Sequence, residues 1–160
     1  MTTQSSHVVI AIDPGLNGAW AALTYDGAFL EAGELPRFEN MVNGSQLAKI
    51  IDRFLVRQAV IERVHAMPKQ GVASTFAFGC AYGIAIGVLA SHQLPIAFVT
   101  PGKWKSHFRL GAAKDASVQR ATNLYPAAAN FLTLKKHHNR ADAILLGRYF
   151  LDATKRGDFV

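Results

Sequence analysis

The sequence is poor in cysteine, in charge and, among its charges, in acid. A single cysteine, Cys80, excludes a disulfide framework and any zinc-finger spacing. It sits in an apolar run of small residues, which predicts a buried, inert thiol. Charged residues make up 18% of the chain against 50% hydrophobic ones, and no Ser/Gly or Gln/Asn tract occurs. That balance excludes disorder and predicts a soluble globular domain. Residues 1–6 lack a basic stretch followed by an apolar one, so no secretory signal is visible and a cytoplasmic chain is expected. A length of 160 residues suits one domain, 1–160, with a sizeable core, and is short for two.

The shortage of acid leaves 17 Lys+Arg over 11 Asp+Glu, a net charge of +6. A basic chain attracts polyanions, of which nucleic acid is the commonest. The charge is gathered in two segments. Lys103, Lys105, His107, Arg109 and Lys114 form one, and residues 135–140, Lys-Lys-His-His-Asn-Arg, form the other. Between Gly71 and Ser91, by contrast, no charged residue occurs, a run close to membrane-spanning length. Polar Ser74 and Thr75 interrupt it, and Gly79, Gly83 and Gly87 recur at every fourth position, giving one smooth helical face. The expectation is a buried core or subunit-interface helix, with no membrane.

Residues 8–12 are an unbroken apolar, β-branched run suited to a buried strand. Asp13-Pro14-Gly15 then turns the chain. Residues 19–25 and 28–35 read as two more strands joined at Asp26-Gly27, so the first third predicts an antiparallel meander. Residues 37–44 are too polar for core and predict a mobile loop. Ser45 is placed to cap a helix carrying Leu47, Ile50, Ile51 and Phe54. A short strand over 59–61 ends in Glu62, and a loop over 65–71 leads to the apolar helix. Residues 95–99 predict a strand closed by Thr100-Pro101. Helices follow over 114–124 and 138–154. This order implies an α/β fold, a mixed sheet with helices on its faces.

Two carboxylates close apolar strands, Asp13 and Glu62. A carboxylate at the end of a buried strand is costly without a partner, and the ends of neighbouring strands meet where ligands bind. In the last helix Asp142, Leu145, Leu146 and Tyr149 share one face, which puts Asp142 at the edge facing the sheet. His138 lies four residues before it and Asn139 three. Each acid has a plainer explanation: an Asp-Pro-Gly turn, a surface pair of Glu62 with Arg63, a capped helix start. Taken together, carboxylates without thiolates suit a hard cation, magnesium or manganese. On a phosphodiester the matching chemistry is two-metal hydrolysis, with basic side chains over the flanking phosphates.

These residues match a family. Ile10-Ala11-Ile12-Asp13-Pro14-Gly15, Val60-Ile61-Glu62 and Arg140-Ala141-Asp142-Ala143 resemble the RuvC-type Holliday junction resolvases of the ribonuclease H-like superfamily. Between them, Pro101-Gly102-Lys103-Trp104-Lys105 is similar to the Pro-x-x-Trp-Lys element of bacterial and phage members. The resemblance runs from about residue 8 to residue 151. It implies a five-stranded mixed sheet flanked by helices, and a magnesium-dependent homodimer that nicks opposed strands of a four-way DNA junction. It implies Asp13, Glu62 and Asp142 as catalytic metal ligands. Lys105 and Lys114 match basic positions near the scissile phosphate or junction backbone. Lys103, Arg109 and Arg140 belong to the same basic segments, the expected DNA surface. The small-residue helix over 73–89 matches the dimer-interface helix.

The sequence departs from the family twice. Members carry an acid or histidine one helical turn before the last aspartate; here His138 is expected to fill that role as ligand or general base, with His137 and Asn139 in reserve. His65 stands where an aromatic often helps to open the junction, and either stacks there or is an ordinary loop histidine. Trp104 either stacks on DNA or anchors its segment to the core, the anchor being preferred. Other readings of the same fold are a nuclease for forks, flaps or other branched DNA, and a junction-binding protein with a degraded site. Asp13-Pro14-Gly15-Leu16-Asn17-Gly18 also fits the opening of actin-like ATPases and sugar kinases, which need two such domains and a longer chain.

Overall fold

The sheet is built outward from its most apolar strand. A computed structural model describes residues 6–66, 68–113 and 115–159. Strand β1 (Val8–Asp13) pairs antiparallel with β2 (Ala19–Thr24), which pairs antiparallel with β3 (Phe29–Glu34). On its other edge β1 pairs parallel with β6 (Val56–Glu62), and β6 pairs parallel with β7 (Ile96–Val99). The order is β3-β2-β1-β6-β7, five strands, mixed as expected. Between β3 and β6 lie β4 (Arg37–Phe38), β5 (Met41–Val42) and helix α1 (Gly44–Ile51). Helix α2 (Val72–Ser91) precedes β7, and α3 (Pro101–His107), α4 (Ala116–Leu124) and α5 (His138–Arg156) follow it.

Both faces of the sheet are covered, which is why β1 is hydrophobic at consecutive positions rather than at alternate ones. Side chains on a strand alternate between faces. Val9 and Ala11 of β1, Ala21 and Leu23 of β2, and Val60 of β6 join a core with Trp104, Ala121 and the apolar residues of α5. Ile10, Ile12, Trp20, Ala22 and Ile61 point the other way, into a second core with Leu47 of α1 and Ala81, Ala85 and Leu89 of α2. Helix α5 lies close on the sheet because Gly147 lacks a side chain. A Cβ there would come within 2.7 Å of Leu23 Cδ1 and 3.2 Å of Ala11 Cβ.

Several expectations need correction. Residues 37–44 are not an open loop: β4 and β5 form a small hairpin, pairing Arg37 with Val42 and Phe38 with Met41. Two-residue strands carry too little alternation to be seen in sequence, and buried Val42 is what fastens the hairpin. The cap of α1 is Asn43, whose Oδ1 accepts from the Gln46 amide at 3.1 Å, not Ser45. Residues 101–107 are helical, started by Pro101 at the position where a missing N–H costs nothing. The expected start of α4 at Lys114 lies outside the described residues. Helix α5 is buried on more than one stripe, since Ala143, Ile144, Gly147 and Leu151 are buried beside Leu145, Leu146 and Tyr149. It is sandwiched between the sheet and α4.

Helix α2 is long and apolar enough to cross a membrane. One flank, Ala81, Ala85 and Leu89, is built into the second core. The opposite flank is open: Val72 is 88% and Phe76 74% exposed, and a Cβ on Gly79, Gly83 or Gly87 would meet nothing within 4 Å. The glycine stripe therefore faces outward rather than into this chain. Cys80, expected to be buried, is only partly so.

Candidate metal centre

The alternation that sorts the two cores also sorts the acids. Asp13 has the parity of Val9 and Ala11, and Glu62 that of Val60, so both project toward the face covered by α5. The pairing of Ile12 with Ile61 then sets the two carboxylates side by side at the ends of parallel strands. Asp142 comes down onto the same place from the second turn of α5, about 7.5 Å along the axis from Gly147. The tight seat of Gly147 on Leu23 and Ala11 holds it there.

The electrostatics show that Asp13 senses both other acids and that Glu62 senses Asp142. Burial holds the Asp13 carboxyl well above the usual range, and the charges of Glu62 and Asp142 push it further, against Lys105. Glu62 is also raised, chiefly by burial, while the Trp104 N–H and Lys105 oppose and Asp142 adds. Asp142 is raised by burial too, against Ser117, Lys105 and His138. Lys105 is thus the cation common to all three. It projects from α3 with its Nζ 5.3 Å from the centre of the Trp104 ring.

Trp104 itself is an anchor, 1% exposed. Its indole N–H also donates to Glu62 Oε2 at 2.6 Å. A buried indole needs an acceptor, and Glu62 supplied a candidate in the sequence, but the two are 42 residues apart and nothing local links them. Ser117, acting on Asp142, also went unseen in the sequence, as did Phe78, whose ring lies 3.4 Å from where a Gly15 Cβ would be.

The neighbours of Asp142 divide between two hollows. His138 lines one with Lys105, Ser117 and Asp142. Its Nδ1 lies 3.1 Å from the Lys135 carbonyl, which assigns the ring proton to Nδ1 and leaves the Nε2 lone pair available. Asn139 lines the other with Asp13, Gly15 and Phe78, and its side-chain amide donates to the Asn17 carbonyl, tying α5 to the loop after β1. His137 is engaged within the chain. It is 5% exposed, and its Nδ1 accepts from the Leu134 amide at 3.1 Å, a structural cap on the turn before α5.

Of the expected DNA-facing residues, Lys103, Lys105, Arg109 and His65 are exposed. His65 borders a hollow with Arg63, Gln70, Phe78 and Pro101. Lys114 lies outside the described residues. Arg140 is engaged within the chain: its Nη1 donates to the Phe131 carbonyl at 3.0 Å and its Nη2 lies 3.7 Å from Glu34 Oε1. These contacts tie the start of α5 to β3 and to the segment before it.

Among the described residues, no group of three or more His, Cys, Asp or Glu side chains lies close enough together to hold a metal ion as it stands. The fit to a cation rests on other grounds. Three carboxylates lie near enough for the charges of Glu62 and Asp142 to raise Asp13, all three are held above their usual range, and Asp142 Oδ1 is buried without a hydrogen-bond partner. A buried acceptor with no donor is costly, and a hard cation answers that cost with oxygen ligands of this kind.

No protein-family profile matches the chain. It is 30% identical over 89 residues to the chloroplastic Holliday junction resolvase of Chlamydomonas reinhardtii, covering 54% of this chain and 10% of that protein. The chain therefore spans about a tenth of the length of that relative. A structure of Thermus thermophilus RuvC in complex with a Holliday junction substrate superposes with a TM-score of 0.69 at 15% identity, over 94% of this chain and 96% of that one. Another structure of Thermus thermophilus RuvC gives a TM-score of 0.68 at 17% identity over the same shares. With its strand order, its flanking helices and these superpositions, the chain has the fold of the RuvC Holliday junction resolvases.

Proposed function

We propose that this chain is a structure-specific DNA endonuclease that resolves four-way junctions as a magnesium-dependent homodimer. The observation that carries the reading is the convergence of Asp13, Glu62 and Asp142 on one face of a RuvC-type sheet, with Asp142 Oδ1 buried and unpartnered. These three carboxylates, with His138, would hold Mg2+ or Mn2+. Bound in pairs, such ions supply water activation and stabilise the leaving 3′ oxygen of a phosphodiester.

The chain's own residues do the rest. Lys105, which lowers the proton affinity of all three acids, offers its charge to a phosphate entering the same cleft. His138, its Nδ1 bonded to the Lys135 carbonyl and its ring beside Asp142, would serve as ligand or general base. Exposed Lys103 and Arg109 continue the positive surface along α3 and past its end. His65, at the lip of the cleft, is placed to meet the junction centre. The open glycine flank of α2, with exposed Val72 and Phe76, is the surface on which two copies would pair.

Cleavage of synthetic four-way junctions, forks and linear duplex, with and without Mg2+, tests this. Paired symmetric nicks on the junction are expected from the parent. Asp13→Asn should bind junctions and fail to cut. Equal activity on linear duplex, or cleavage by Asp13→Asn at the parent rate, would refute the assignment.

A further inference from the structure

Glu62 differs from the other two acids in having a donor reserved for it from inside the core. Trp104 is packed among buried apolar residues that include Val60 and Val99, yet its N–H points to Glu62 Oε2. The contact satisfies both a buried indole and a half-buried carboxylate. Its geometry is set by backbone on both sides. Glu62 pairs with Val99 across the parallel ladder, and the Arg63 amide donates to the Val99 carbonyl at 2.7 Å. Helix α3 begins two residues later at Pro101, so the strand that pairs with Glu62 also launches the helix that carries Trp104.

We propose that Trp104 is a positioning residue for the metal centre, its N–H holding Oε2 of Glu62 so that Oε1 is left to the cation. The inference rests on Asp13, Glu62 and Asp142 being metal ligands. Donors that orient a ligating carboxylate act on metal affinity, and losing one costs about 10–100-fold. The same contact makes Trp104 a reporter, since a fluorophore bonded to a ligand senses what that ligand binds. Trp20, the other of the 2 tryptophans, packs in the opposite core, so Trp20→Phe leaves Trp104 as the single emitter.

Mg2+ and Mn2+ are titrated into the Trp20→Phe protein while Trp104 emission is followed, and binding is measured in parallel by calorimetry. A saturable change in emission is expected, with the same midpoint as the heat and absent from Trp20→Phe/Glu62→Gln. Trp104→Phe, checked for folding in EDTA, should bind metal at least about tenfold more weakly. In a Glu62→Gln background it should add no further loss, because it acts through Glu62. If Asp13→Asn binds metal as tightly as the parent, the metal-site reading itself falls. If Asp13→Asn loses metal while Trp104→Phe keeps parent affinity, the positioning role alone is overturned. If Trp104→Phe does not fold, the emission titration decides, and a silent Trp104 at saturating metal refutes the proposal.

Discussion

Replacing Asp13 by asparagine should make the metal-free protein more stable at neutral pH while depriving it of stabilisation by divalent cations. The carboxyl of Asp13 is held above its usual range by burial and by the charges of Glu62 and Asp142. A folded pKa above the unfolded one means that the folded state binds the proton more tightly. The stability this contributes is complete below the ordinary carboxylate range, about pH 4, and is lost as pH rises through the folded value. At pH above that folded value the ionised Asp13 therefore works against the fold.

The size follows from the register. Asp13 and Glu62 end neighbouring parallel strands, which lie about 4.8 Å apart. Two unit charges at that distance repel by about 1 kcal/mol in water and about 3 kcal/mol at an effective dielectric of about 20. Neither side chain is wholly removed from solvent, so screening keeps the repulsion, which adds to the cost of burial itself, in the lower half of that range, about 1–2 kcal/mol. In a domain of this size that is a rise in Tm of about 2–8 °C for the asparagine variant in EDTA. The gain should shrink toward pH 4, where the parent carboxyl is protonated. Mg2+ at a hundred times its Kd should stabilise the parent by about 2.7 kcal/mol and the variant by far less. Differential scanning calorimetry in EDTA and in Mg2+, at pH 4 and pH 7, measures all four states. A variant that melts below the parent at pH 7 without metal, or that gains as much from Mg2+, would refute the reasoning.

Removing the ammonium at Lys105, as Lys105→Met, takes away the cation that holds down all three carboxylates. Their pKa values should rise further, so the acid limb of the pH–rate profile for junction cleavage moves to higher pH; an unmoved limb would show that Lys105 acts elsewhere. Gly147→Ala inserts a methyl 2.7 Å from Leu23 Cδ1. Overpacking of this kind costs about 1–3 kcal/mol, and it should lift α5 and lower cleavage at temperatures where the variant remains folded, read by thermal melting and single-turnover rates.

The strands were legible because β-branched runs closed by turn residues have few other uses, and Asp13 and Glu62 stood out as acids at the ends of such runs. Their common face follows from alternation once β1 and β6 are paired in register. What the sequence hid was short or long-range. Helix α3 is too brief to show a period, and β4 and β5 are two residues each. Asn43 and Ser45 are both good caps, and only the backbone chooses between them. Linear charge clustering also does not record that Glu34 and the Phe131 carbonyl lie against Arg140. The bond from Trp104 to Glu62 joins two segments that meet only once β7 has paired with β6.

The ladder between β1 and β6 has one irregularity, between Val8 and Val9, at the end far from the acids. From Ile10 to Ile12 the register runs unbroken to the cleft. A one-residue slip turns every side chain of a strand to the opposite face. A deletion or insertion inside β6 would therefore carry Glu62 through the sheet to the side of α2, away from Asp13, Asp142 and Trp104. Such a chain could keep an apolar core on both faces and still lose its site, so tolerance to length change here is limited by chemistry sooner than by stability.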